Sequence, residues 1–219
     1  MAWLSYVLTL LVIYPISWLP FPLLYGISDA LYVILFKWLG YRKKVVYGNL
    51  KRAFPEKSEQ EIHAIAKRFY HHLTDLLVES FKGFTISKKA LIDRMDFTNP
   101  EIVNRYYDQG RHVVLIGSHY NNWEYLPPVL SIHLKHTIMG IYKPLSNKYF
   151  DRRVQRNRSR FGDLVLGPMK QVKQLFTAYQ DQPMAMAFLS DQSPSRNAKP
   201  YWMEFLGVET PMLFGAEYY

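Results

Sequence analysis

The sequence predicts an α/β fold, in which a mostly parallel sheet is flanked by helices, preceded by an apolar helical segment. Apolar runs recur at 113–118, 135–142 and 184–189, with a shorter run at 164–166, and each is typical of a short buried strand. The first of them is rich in β-branched and aliphatic residues. A helical pattern separates the first two runs, and parallel strands require such a crossover. The first 36 residues contain a single charged side chain, Asp29.

Residues 1–40 are predicted to be a membrane-anchoring segment made of two helices, about 2–14 and 22–39. Pro15, Pro20 and Pro22 interrupt the apolar run, and the hinge is the stretch ISWLPFP, residues 16–22. The uncharged run from Trp3 to Leu19 is 17 residues long, which is roughly 26 Å as a helix and close to the lower limit for crossing a bilayer. Basic residues begin where the apolar run ends, which places the following domain on the cytoplasmic side. A helical hairpin buried in the core is the alternative. A cleaved signal peptide is not predicted, because a basic leading region is missing.

Amphipathic helices are expected over residues 41–83. Pro55 ends the first, and Ser58 with Glu61 forms a capping box at the start of the second. A short helix follows at Pro100, with Thr98 or Asn99 as its cap, and Gly110 ends it before the first strand. The inward face predicted for the second amphipathic helix consists of Ile62, Ile65, Phe69, His72, Leu73, Leu76 and Leu77.

The candidate catalytic residues are His119 and Glu124, in the stretch HYNNWE that directly follows the first strand. His119 is expected at the carboxyl end of that strand, where open α/β sheets bind ligands, with Asn121 or Asn122 capping the next helix. An imidazole is a suitable general base near neutral pH, and a neighbouring carboxylate fixes its tautomer. The alternatives are a capping-box role for Glu124 and a structural role for His119. A metal pair is not predicted, since an offset of five places helical side chains about 140° apart.

A strongly basic helix is predicted from about Asn147. Seven basic residues and one acid lie between Lys143 and Arg160, and Arg152, Arg156 and Arg160 share one face. This spacing favours binding of an anion, because guanidinium groups grip phosphate in a bidentate manner. A solvated basic face is the alternative. The face predicted to point inward consists of Phe150, Val154, Asn157 and Phe161.

The last strand is followed by Asp191 and Gln192, again at the ligand-binding edge of the predicted sheet. A loop aspartate without a functional role is the alternative for Asp191.

Composition narrows the choice of function. The 219 residues include no Cys, which excludes disulfides, a thiol nucleophile and cysteine-based metal sites. The net charge of +9 suits an anionic partner such as membrane phosphates, an acidic carrier protein or nucleic acid, and a charge that only confers solubility is the alternative. Nucleic acid is not a predicted partner, because the basic runs lie beside an apolar segment and no recognition module is present.

Four stretches resemble the bacterial lipid A late acyltransferases (the lauroyl/myristoyl transferase family). The motif SHYNNWE resembles the family's G-H-aromatic-G-N-W-E, with Asn121 in place of a glycine, and RKKVVYGNLKRAFPE resembles its pre-catalytic segment. YKPLSN…RSRFG and SDQSP…FLGVET resemble two later blocks. The residues that match those two blocks are Tyr142, Lys143, Pro144, Asn147, Arg158, Gly162, Asp191, Gln192, Phe205, Gly207 and Thr210.

The resemblance implies a glycerolipid-acyltransferase-like fold, with residues 41–219 as the acyltransferase domain. Members of this family continue for several more strands and helices, so the C-terminal part of the fold is expected to be missing. The implied activity is transfer of a fatty acyl group from acyl carrier protein, or from acyl-CoA, to a hydroxyl of a lipid A precursor. The implied location is the cytoplasmic face of the bacterial inner membrane.

In that reaction His119 would be the general base, Glu124 would orient it, and no metal or resident cofactor would be needed. Asn122 or backbone N–H groups would stabilise the oxyanion. The expected substrate-binding residues are Asn122, Tyr142, Lys143, Asn147, Arg152, Arg156, Arg158, Asp191 and Gln192; for Arg152 and Arg156 the expectation rests on charge alone. The alternatives are acylation of another membrane lipid, such as a phosphoglycolipid or amino-acid lipid, and an inactive membrane-bound binding protein.

Overall fold

The computed structural model describes residues 2–194, 200–213 and 216. The helices are α1 (Ala2–Trp18), α2 (Phe21–Tyr32), α3 (Lys43–Ala53), α4 (Glu59–Lys82), α5 (Lys88–Ile92), α6 (Pro100–Asp108), α7 (Leu126–His133), α8 (Lys148–Arg158) and α9 (Val172–Tyr179). The strands are β1 (Val113–Gly117), β2 (Thr137–Ile141), β3 (Leu164–Gly167), β4 (Met184–Leu189), β5 (Tyr201–Phe205) and β6 (Val208–Met212).

The predicted α/β class with a parallel sheet is confirmed. Strands β1 to β4 form a parallel sheet in the order β1-β4-β2-β3. Strand β4 therefore lies between two neighbours, and its residues Met184, Ala185 and Met186 are buried. Strands β5 and β6 form a separate antiparallel hairpin that the sequence did not predict, with Leu206 and Gly207 at positive φ in its turn.

The register between β1 and β4 decides which residues meet at the end of the sheet. Gly117 is paired with Leu189. His119 and Asp191 each lie two residues beyond this pair, one after each strand. The two side chains therefore come together at the carboxyl edge of the sheet, where parallel α/β folds bind ligands.

Helix α4 is the long helix on which the N-terminal helices pack. Its capping box is confirmed, since Ser58 and Glu61 exchange side-chain and backbone hydrogen bonds. The inward face is only partly as predicted. The buried residues recur at every fourth position and are Ile62, Ala66, Tyr70, Thr74 and Val78, whereas Phe69, His72 and Leu77 are exposed. The small side chains of Ala66 and Thr74 in this stripe allow neighbouring helices to approach closely. The spacing of large apolar residues does not indicate this role.

The N-terminal segment forms two helices, as predicted, with bounds that differ from the prediction. Helix α1 continues through Pro15 to Trp18, and α2 is followed directly by a π-helical turn, Val33–Trp38. Phe21–Trp38 is long and apolar enough to cross a membrane, and Ala2–Trp18 is a shorter apolar helix. One side of α2 packs on α4 and buries Leu24. The division into residues 1–40 and 41–219 stays a prediction.

The short helix α6 begins at Pro100 and is followed by Gly110 at a φ of +70°, both as predicted. The expected side-chain cap is absent at Asn99, whose backbone is left-handed (φ 59°) and whose side chain makes no capping hydrogen bond. The fixed φ of Pro100 is itself suited to the first helical position.

Candidate active site

His119 and Asp191 form a close hydrogen-bonded pair at the carboxyl edge of the sheet. The His119 ring nitrogen Nδ1 lies 2.6 Å from Asp191 Oδ1, and the backbone N–H of His119 donates to Asp191 Oδ2 at 2.8 Å. A carboxylate can only accept, so this contact assigns the ring proton to Nδ1. Gln192 Nε2 lies 3.3 Å from His119 Nε2 and is placed to donate to it. Together the two contacts are consistent with the Nδ1–H tautomer, in which the electron pair of Nε2 faces Gln192.

The electrostatics of Asp191 and the packing of Trp123 both support this pair. Partial burial acts to raise the pKa of Asp191, but hydrogen bonds from the His119 side chain and backbone outweigh it and leave that pKa below its usual value. Trp123 packs edge-on against the imidazole, with ring centroids 5.4 Å apart. His119 is therefore fixed in both tautomer and orientation.

The expected pairing of His119 with Glu124 is corrected by the structure. The carboxylate of Glu124 accepts hydrogen bonds from Arg158, at 2.8 Å from Nη2 to Oε1 and at 3.2 Å from Nε to Oε2. The 3₁₀ turn Trp123–Tyr125 precedes α7 and directs Glu124 towards α8, on which Arg158 lies. The carboxylate that binds the His119 ring is thus Asp191, which is distant in sequence.

The backbone of the HYNNWE turn explains part of its sequence pattern. Asn121 has a φ of +53°, a left-handed conformation in which glycine is the least strained residue and asparagine is among the best tolerated of the others. Asn122 occupies the N-cap position of the 3₁₀ turn, but its side chain does not cap. Its Nδ2 instead donates to Glu79 Oε2 on α4 at 2.7 Å.

A cavity of about 370 Å³ opens next to His119. Glu124 and Arg158 line it together with Tyr142, Lys143 and Gln192. Its apolar walls come from the sheet and from α7, and include Leu130, Ile138, Ile141, Leu166 and Phe188. Cavities with apolar walls and a few convergent polar groups are typical small-molecule sites.

A second cavity, of about 300 Å³, adjoins the first. The residues that line both cavities are Trp123, Glu124, Leu145, Val154 and Arg158. The residues predicted to point inward from the basic helix, which are Phe150, Val154, Asn157 and Phe161, all line the second cavity. The ion pair therefore forms part of the wall of two adjoining cavities.

Several residues predicted to bind substrate have other contacts. Asn147 caps α8, accepting from the backbone N–H groups of Tyr149 and Phe150, while its Nδ2 donates to the carbonyl of Ala2. It is not among the residues that line either cavity, within the part of the chain that the structure describes. Tyr142 does line the cavity beside His119, and its hydroxyl donates to Asp151 at 3.1 Å.

The predicted arginine face is divided in the structure. Arg152 and Arg156 line another recess of about 230 Å³, which shares Leu164 and Leu166 with the cavity beside His119. Arg160 follows the end of α8 and donates to the backbone carbonyls of Phe84 and Ile86. Among the described residues that line the cavity beside His119, neither Arg152 nor Arg156 occurs, so their role in anion binding stays a prediction.

The sequence interpretation missed Glu79. Its side chain is 15% exposed and contacts Tyr25, Arg94 and Asn122. On α4 it lies between Val78 and Ser80 in an otherwise ordinary amphipathic pattern, so no local signal distinguishes it from a solvated glutamate.

The chain matches a known protein family along its whole length. The model of the family "Bacterial lipid A biosynthesis acyltransferase" matches residues 1–219. The chain belongs to this acyltransferase family.

A curated relative of this chain is the lipid A biosynthesis lauroyltransferase of Escherichia coli (strain K12), which is 24% identical over 149 residues. The matched region covers 68% of this chain and 48% of the relative, so the chain spans about half the length of the curated relative that it matches.

Proposed function

We propose that this lipid A acyltransferase family member transfers a fatty acyl group from a thioester donor to a hydroxyl of a lipid A precursor, with His119 as general base. One observation carries the proposal: His119 Nδ1 is bonded to Asp191, so that Nε2 is the basic nitrogen, and His119 lines a cavity with apolar walls. An apolar cavity of this size suits part of an acyl chain. The name of the E. coli relative supports the same chemistry.

In the proposed reaction, His119 Nε2 takes the proton of the acceptor hydroxyl as its oxygen attacks the thioester carbonyl carbon. The tetrahedral intermediate collapses, the C–S bond breaks, and the thiolate leaving group takes the proton back from the imidazolium. Asp191 stabilises that imidazolium and holds the ring, as a carboxylate does for other catalytic histidines.

The roles of Glu124 and Asn122 change in this proposal. Glu124 shapes the cavity wall through Arg158 and does not orient His119. The side-chain amide of Asn122 is directed at Glu79, so backbone N–H groups of the turn are better candidates for oxyanion stabilisation.

The donor is acyl carrier protein or acyl-CoA, since both present the same thioester. The acceptor is anionic, which suits the net charge of +9 and the position of Lys143 in the lining of the cavity beside His119. We place the protein at the cytoplasmic face of the inner membrane, supported by the exposed apolar side chains of α1 and α2, which include Trp3, Leu8, Leu11, Trp18 and Leu23. Tyr142, Asn147, Arg152, Arg156 and Gln192 stay predictions as substrate-binding residues.

The test is His119→Ala in detergent-solubilised protein, supplied with acyl carrier thioester and a lipid A precursor. We expect product formation to fall by about 10²–10⁴-fold, the usual effect of removing a general base. His72→Ala is the matched control, because His72 is exposed on α4. Wild-type turnover by the His119 variant would refute the mechanism.

The acceptor is tested separately. Mass spectrometry of lipids from a deletion strain should show a lipid A species that lacks one acyl chain. Loss of a chain from another lipid class would favour the alternative acceptor, and binding of donor by wild-type protein without thioester consumption would favour an inactive binding protein.

A further inference from the structure

The two carboxylate oxygens of Glu79 connect different parts of the molecule. Oε1 accepts from the hydroxyl of Tyr25 on the apolar helix α2, at 2.6 Å. Oε2 accepts from Asn122 in the turn that carries His119, at 2.7 Å. Arg94 completes the group: its Nη1 donates to the Tyr25 hydroxyl at 3.0 Å and lies 3.7 Å from Glu79 Oε1.

This arrangement is more specific than a surface ion pair. Glu79 is 15% exposed and Asn122 is buried, so each loses most of its contact with water and needs a protein partner. Hydrogen bonds to an ionised acceptor are also about twice as strong as those between neutral groups.

The turn itself needs support. Asn121, directly before Asn122, has a left-handed backbone, which costs a non-glycine residue of the order of 1 kcal/mol. His119 lies two residues earlier. A bond that fixes Asn122 therefore limits the movement of the turn on which the imidazole is carried.

We propose that Glu79 is a positioning residue: it fixes Asn122, and through it the turn that carries His119, while Tyr25 and Arg94 hold the Glu79 carboxylate. This inference rests on the proposed function, because its readout is acyl transfer. In this proposal the partner of Asn122, the second Asn of the HYNNWE motif, is Glu79 on α4, 43 residues earlier in the chain.

The pair can be tested by reversing its polarity. Asn122→Asp places two carboxylates where one donor–acceptor bond existed, so we expect kcat to fall at least tenfold with the KM for donor changed less than twofold. In the double variant E79Q/N122D, the glutamine amide donates to the new carboxylate. We expect this variant to recover kcat to within about threefold of the wild-type value.

The single variant E79Q and two controls complete the experiment. E79Q removes the charge that Arg94 and Asn122 face, and we expect about a tenfold lower kcat. Glu61→Gln is the matched control, since it weakens the capping box of the same helix 18 residues away, about 27 Å along α4; its kcat per folded molecule should match wild type. H119A is assayed in parallel.

The outcomes separate the two claims. If H119A turns over normally, the proposed function fails. If H119A is inactive while E79Q and N122D keep wild-type kcat, the positioning role fails and the proposed function stands. If E79Q/N122D shows no recovery over N122D, the Glu79–Asn122 bond does not position the turn. Should N122D fail to fold, E79Q alone still decides, because a wild-type kcat overturns the inference.

Discussion

Replacing Arg158 by lysine should weaken both the fold and the active-site wall, although the charge is kept. The guanidinium makes a forked contact with Glu124, with N–O distances from 2.7 to 3.2 Å, and the two side chains are 20% and 33% exposed. Lysine presents a single point charge and cannot reproduce the fork. Loss of one charge-assisted bond costs about 1.5–3 kcal/mol when buried, which partial exposure reduces to about 1–2 kcal/mol here.

The assay is thermal and urea unfolding of wild type, R158K, E124Q and the double variant, together with acyl transfer. A loss of 1–2 kcal/mol corresponds to a fall in Tm of about 3–6 °C for a chain of this length. Arg156→Lys, an exposed position on the same helix, is the control and should change stability by less than about 0.5 kcal/mol. Strictly additive effects of R158K and E124Q would refute the argument, because two residues that act as a pair must show a coupling energy.

Three further predictions follow from the structure. The pKa of Asp191 is lowered in the folded protein, so the ionised carboxylate stabilises the fold above the ordinary aspartate pKa of about 3.9. This contribution is lost as the pH falls through the lower pKa of the folded state. In urea titrations, the difference in unfolding free energy between wild type and D191N should therefore shrink below about pH 4. Gly162→Ala should cost about 1–3 kcal/mol, measured in the same way, because a Cβ there would lie 2.5 Å from the carbonyl oxygen of Ser131; an unchanged urea midpoint would contradict this close contact. Charge reversal at Arg152 and Arg156 should leave kcat unchanged, because these residues line another recess and not the cavity beside His119. An increase in the KM for the anionic substrate at low salt, but not at high salt, would identify the recess as a docking site. An unchanged KM would identify it as a solvated face.

Much of the fold follows from local patterns in the sequence. The strands at 113–117, 137–141 and 184–189 stand out as apolar runs, and the Ser58 capping box marks the start of α4 within one residue. The buried face of α4 was harder to predict, because Ala66 and Thr74 are buried for the close packing of helices and not for their hydrophobicity.

The active site was predictable only in part, because its geometry depends on strand order. His119 and Asp191 were both expected at strand ends, but their contact requires β4 to lie beside β1, and no local pattern reports that neighbour relation. Without it, the sequence points to Glu124, the nearest carboxylate along the chain, as the partner of His119. The bond from Glu79 to Asn122 is hidden for the same reason, since it joins a helix and a turn that meet only in the folded chain.

The carboxyl end of α4 is hydrogen-bonded to the N-terminal helices, so deletion of these helices would also affect α4. Lys82 Nζ donates to the carbonyls of Ser17 and Leu19, at 3.0 and 2.8 Å, and Tyr25 supplies a donor to Glu79. Deletion of the apolar helices would remove the two carbonyl acceptors of Lys82. It would also remove the Tyr25 hydroxyl that donates to Glu79, the carboxylate that fixes the His119 turn. A form that lacks these helices would therefore not locate the membrane anchor. A loss of its activity could result from a disturbed His119 turn as well as from lost membrane association. Point substitution of outward-facing side chains such as Trp3 and Leu11 keeps those bonds and separates the two effects.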